Sequence, residues 1–178
     1  MIDRMINEHP VLMFFGAFAI FVLIIWIKSC IDEKKGIDSP EKQKVKEILQ
    51  KIMQEHDDFR EYVFVYAYRR DSHARSVKCW YYAIALTVDK MYVVPLIFGD
   101  KEIGHSYTIV IEKDIVDVVE TSKPGGPMHA LKFSDGNGDV ILEITLEEKN
   151  TKLDKTYPVN IVQVEETRAF MQMLEQWK

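Results

Sequence analysis

Four basic residues fall within one ten-residue stretch, Arg69, Arg70, Arg75 and Lys78, with His73 among them and Asp71 as the only acid. These residue types suit recognition of anions. Lys and Arg near a bilayer gain about 1 kcal/mol each from anionic head groups, and a guanidinium grips phosphate through two parallel hydrogen bonds. Arg69, Arg70, His73, Arg75 and Lys78 are therefore the candidate lipid- or phosphate-binding residues. The competing reading is a solvated hairpin tip in a chain rich in charge.

Other chemistry is not nominated. Asp135-Gly136-Asn137-Gly138-Asp139 imitates the start of a calcium loop. Such a loop needs Gly at its sixth position and Glu at its twelfth, where this chain has Val140 and Leu146. Asp and Gly in that order also suit a hairpin turn. His9, His56, His73, His105 and His129 are scattered, with no pair at helical metal spacing and no accompanying Cys, so no metal site is expected. No nucleotide-binding loop, nucleophile elbow or zinc-protease motif occurs. Gly125-Gly126 lies between prolines and does not open a helix, which argues against a phosphate cradle. The expectation is a non-catalytic protein without cofactors.

The formal net charge is −5. Mild acidity is not the footprint of a nucleic-acid binder. The two cysteines, Cys30 and Cys79, form no disulfide framework and fit a reducing compartment. Cys30 is a possible acylation point, with an unmodified thiol as the simpler reading.

The cluster has to be positioned relative to a membrane. Val11 to Ile27 reads VLMFFGAFAIFVLIIWI and holds no charge. As a helix it would extend roughly 26 Å, against a hydrocarbon core of about 30 Å. Pro10 suits a first helical turn, Trp26 suits the interface, and Lys28 can snorkel to the head groups. A transmembrane helix over 11–27 is expected, anchored through Val11, Phe14, Phe18, Leu23, Trp26 and Lys28. Lys28, Lys34, Lys35, Lys42, Lys44 and Lys46 follow it, whereas only Arg4 precedes it. Positive charge accumulates on the cytoplasmic side. The expected arrangement is a single-pass protein of the cell (inner) membrane, with a short extracytoplasmic N-terminus over 1–10 and a cytoplasmic C-terminal part. A cleaved signal is disfavoured because the charges follow the apolar run.

Residues 28–38 are charged and end near Gly36, which reads as a linker. Ser39 is a good N-cap, Pro40 fits the first helical position, and Glu41 complements the positive helix end. Val45, Ile48, Leu49, Ile52 and Met53 then mark one face of an amphipathic helix over 39–56. Strands follow. Tyr62, Phe64, Tyr66 and Tyr68 alternate with Val63, Val65 and Ala67. Further strands are expected at 77–86, 90–98, 106–112, 115–120, 128–133 and 140–146, with Pro95 marking an edge or a bend. The aromatic face of the first strand is barrel core or a partly covered outer face, and the helix at 45–53 is a candidate cover for it. From about Glu165, Ala169, Phe170, Met173, Leu174 and Trp177 share one helical face. The stretch 147–164 yields no clear element.

Seven antiparallel strands followed by one amphipathic helix resemble the pleckstrin-homology-like (PH/GRAM-like) fold over 61–178. The turn Leu86-Thr87-Val88-Asp89-Lys90-Met91 is similar to the "LT-D-R-L" turn of bacterial members, with Val88 added and Lys-Met in place of Arg-Leu. The resemblance implies a mainly β (α+β) domain: a seven-stranded barrel capped by a C-terminal helix. It also implies a binding module whose basic residues flanking the first loop contact lipid phosphates. The expected function is a membrane-tethered module that contacts membrane lipids, a protein partner or a second copy. The alternative is a structural subunit of a larger membrane complex, with the apolar helix as the assembly interface.

Overall fold

The computed structural model describes residues 10–56, 58–73, 76–99, 102–122, 126–150 and 158–177, with backbone alone at 10–14, 17, 32, 33, 35, 73 and 76. Two helices come first. Helix α1 spans Pro10–Ile37 and α2 spans Pro40–Glu55. Ser39 caps α2, its hydroxyl accepting the Lys42 N–H at 3.1 Å.

Eight strands build one antiparallel sheet: β1 Val63–His73, β2 Ser76–Leu86, β3 Lys90–Phe98, β4 Ile103–His105, β5 Ile109–Glu112, β6 Asp117–Glu120, β7 Met128–Ser134 and β8 Val140–Glu147. Their order is β4-β3-β2-β1-β8-β7-β6, and β5 pairs with β3. Two short strands, β9 Lys149–Asn150 and β10 Ile161–Val162, pair separately and occupy the stretch that yielded no element from sequence. Helix α3, Val164–Glu175, closes the chain.

The sheet is not closed as a barrel, which corrects the expectation. β5 pairs with β3, and a 3-10 turn at Lys113–Ile115 sends the chain to β6, which pairs only with β7. The ladder therefore ends at β6 on one side. On the other side, β4 and β5 divide the edge of β3 between them. Pro95 explains that division. It lies between Val93, the last residue paired to β5, and Leu96, the first paired to β4. Its missing N–H falls where no strand partner is required, while its carbonyl accepts the Ser106 N–H at 3.0 Å. β3 is thus an interior strand, with its interruption at the proline.

Both faces of β1–β3 are covered. On the inner face Val65, Ala67, Ile84, Leu86, Met91 and Val93 pack with Leu131, Phe133, Ile144 and Leu146, α3 inserts Phe170 and Leu174, and Trp177 follows just beyond its end. On the outer face Val45, Ile48, Leu49, Ile52 and Met53 of α2 cover Tyr66, Ala83, Ala85, Tyr92 and Val94. The aromatic face of β1 is therefore packed under α2.

A second correction concerns residues 28–38, expected as a linker. The helix begun in the apolar run continues unbroken to Ile37. Lys and Glu are good helix formers, and Gly36 is where the helix meets the domain. A Cβ at Gly36 would lie 2.7 Å from Val162 Cγ2 and 3.2 Å from the Val162 nitrogen, so a glycine permits this approach. Lys42 fastens the same corner, donating to the Val162 carbonyl at 2.9 Å and pairing with Glu166 at 2.6 Å.

A third correction concerns the membrane-spanning helix. Among the described residues no helix is long and apolar enough to cross a membrane. Within the uncharged run, the described apolar side chains extend from Phe15 to Ile27, short of the roughly 20 residues a span requires. Val11 and Phe14 are anchor candidates whose side chains lie outside the described residues. Phe18, Leu23 and Trp26 are exposed, at 57%, 55% and 64%, and Lys28 is exposed as well.

Candidate anion-binding cleft on the β1–β2 arm

β1 and β2 pair along their whole length, from Val63↔Leu86 to His73↔Ser76. β8 pairs with β1 only at Ala67 and Tyr68, and β3 reaches β2 only as far as Tyr81. Beyond Tyr68 the hairpin is a free two-stranded arm, and the basic cluster sits on it.

Alternation divides the cluster between two faces. Arg69, Asp71, Lys78 and Trp80 share one face through the pairs Arg69↔Trp80 and Asp71↔Lys78. Arg69 bonds Asp71 (Nε to Oδ1, 3.3 Å) and lies over the Trp80 ring, 5.8 Å from its centroid. That contact joins a cation to the ring's negative face. Arg70 occupies the opposite face, across from Cys79. His73 is the last residue of β1, with its side chain undescribed, and Arg75 lies outside the described residues. Lys78 is exposed. The five candidates do not converge as a group.

Arg69 and Arg70 converge instead with residues from the far side of the sheet. Where β1 parts from β8, a cleft of about 250 Å³ opens, lined by Arg69, Arg70, Asp71, Thr121, Lys132, Glu143 and Thr145. Lys132 and Glu143 are directly paired across β7 and β8. Arg70, Glu143 and Lys132, two cations and one acid, thus line the same cleft. Among the described residues no hydrogen bond or ion pair engages these three side chains. No local sequence pattern joins positions 70, 132 and 143; only the fold does.

The turn that carries the family resemblance has a structural role. Thr87, fully buried, donates its hydroxyl to the Lys90 carbonyl at 2.9 Å and accepts the Lys90 N–H at 3.0 Å. Arg60 bridges this turn to the end of α2, contacting Asp89 and holding Asp58 at 2.7 Å and 2.5 Å. Asp58 also accepts the Tyr92 hydroxyl at 2.7 Å. The Arg60 hydrogen bonds hold the Asp58 carboxyl well below the usual carboxylate range, against the opposing effect of burial. Burial, then the bond to Asp58, pushes Tyr92 up to about 12.

Sequence reasoning also missed Gln163, which is 1% exposed. Its Oε1 accepts the Tyr66 N–H at 2.8 Å, and its Nε2 donates to the carbonyls of Tyr66 at 2.7 Å and Glu147 at 2.8 Å. The amide thereby replaces a strand partner for β1 where β8 has ended. The Asp135 turn is closed by its own carboxylate, which accepts the N–H groups of Asn137 at 2.9 Å and Asp139 at 2.8 Å. Among the described residues no group of three His, Cys, Asp or Glu side chains could hold a metal ion.

The fold and cleft define a mainly antiparallel β domain with a terminal helix and a charged cleft beside a free hairpin arm. No family model, curated protein or solved structure matches the chain.

Proposed function

We propose that this chain is a membrane-tethered binding module without catalysis, in which a PH-like domain meets an anionic head-group surface or a protein partner through its β1–β2 arm. The apolar part of α1 seats in lipid, with the lysines that follow it at the head groups. The observation that carries this reading is the junction at Gly36: an exposed apolar helix runs without a break into a contact that fixes it on the domain. Further support comes from the sequence Val11–Ile27, uncharged throughout, and from the strand order with α3 over the inner face. Because the tether supplies local concentration, individually weak contacts at the arm suffice.

Vesicle binding by residues 28–178, which retain the Gly36 contact, tests the reading. Binding to anionic vesicles should weaken as salt rises, and Arg70→Gln with Lys132→Gln together should lower it roughly thirtyfold, at about 1 kcal/mol per cation. Salt-insensitive binding, or equal binding to phosphatidylcholine vesicles, would overturn the lipid arm and leave the protein partner.

A further inference from the structure

We infer that the β1–β8 cleft is built for a zwitterion, a phosphate joined by a short spacer to a primary ammonium, with phosphoethanolamine as the chemistry that fits it. The inference rests on the proposed anion contact and names its ligand class. Of the charges lining the cleft, Asp71 is already held by Arg69. Lys132 is paired across from Glu143, Arg70 lines the same cleft, and no side-chain partner engages any of the three among the described residues. A simple anion bound between Arg70 and Lys132 would meet the repulsion of the Glu143 carboxylate. A ligand that gives its phosphate to the cations and its ammonium to Glu143 satisfies all three charges, and the mismatch disfavours simple anions.

The size and lining narrow the choice. A cleft of about 250 Å³ is small, below the range typical of drug-sized ligands. Its lining holds Thr, Ala, Leu and Ile beside the charged groups, and no aromatic ring. A quaternary ammonium is recognised by aromatic faces, whereas a primary ammonium donates hydrogen bonds to a carboxylate. Phosphoethanolamine therefore fits better than phosphocholine. Phosphoserine would bring a second carboxylate towards Glu143 and is disfavoured.

The test uses the full chain in maltoside micelles. Amide NMR shifts of Arg70, Lys132 and Glu143 are followed on titration with phosphoethanolamine, phosphocholine and inorganic phosphate. Phosphoethanolamine should bind about tenfold tighter than either other probe, the size of one charge-assisted hydrogen bond. Glu143→Gln should remove that preference and leave phosphate affinity undiminished, a result that also shows the variant is folded. Equal affinity for phosphoethanolamine and phosphate, or a preference that survives Glu143→Gln, overturns the zwitterion and leaves the anion contact standing. No shift at Arg70 or Lys132 with any probe overturns both. Lipid discs distinguish the source. Shifts at the same residues that grow when phosphatidylethanolamine is added to phosphatidylglycerol discs assign a lipid head group. Shifts with the free compound alone assign a soluble ligand.

Discussion

At the scale of single residues, the side chains that hold the domain together are polar and few. Gln163 supplies three hydrogen bonds at a position where β1 has no neighbour on its β8 side. Replacing it with Leu leaves a buried N–H and carbonyls unpaired, and each such group costs about 1–3 kcal/mol. Gln163→Leu should therefore lower stability by about 2–5 kcal/mol in urea unfolding, and Gln163→Glu should not restore it, since Glu lacks the amide donor. The Asp58–Arg60–Tyr92 group gives the pH dependence. Asp58 has its carboxyl lowered by Arg60, so its contribution is complete above the unfolded value near 3.8 and is lost as pH falls below it. Tyr92 is raised instead, so its contribution is present below pH 10 and is lost as pH rises towards about 12. Thermal unfolding followed across pH should show both limbs. Asp58→Asn should flatten the acid limb, and Tyr92→Phe the alkaline one.

At the scale of elements, the docked corner of α1 is the most demanding contact. Gly36→Val would drive a branched side chain into Val162 and its backbone. Overpacking of this kind costs about 1–3 kcal/mol. The expected signature is faster hydrogen exchange at Ile161 and Val162, with the inner core unchanged. Helix α2 is bound by burial, so Leu49→Ala, fully buried against the outer face, should cost about 2–5 kcal/mol. Sequence periodicity located α2, the long strands and α3 because each buries a face that repeats every two or 3.6 residues. It misplaced the α1 boundary because Asp32-Glu33-Lys34-Lys35-Gly36 has a linker's composition, while the need for glycine arises from Val162, far along the chain. It missed β4 because Ile103-Gly104-His105 is too short to show alternation. Arg69 and Arg70 were legible as neighbours in sequence. Lys132, Glu143 and Gln163 were not, because only strand register and tertiary contact bring them to their partners.

At the scale of the whole molecule, one continuous helix joins an exposed apolar segment to a two-cored domain. The Gly36 and Lys42 contacts fix how that domain is held. Under the proposed tethering, the docked helix limits which surface reaches a bilayer, and the free β1–β2 arm carries the basic residues. The most direct measurement places the full chain in lipid discs whose head groups bear a paramagnetic label, and reads the broadening of each amide signal. With anionic lipid at low salt, Arg70 and Lys132 should broaden strongly, Asp89 at the opposite end of the hairpin should not, and 1 M salt should reverse the effect as screening shortens to about 3 Å. Broadening confined to α1, with Arg70 and Lys132 unaffected in every lipid mixture, would contradict contact between the arm and the membrane.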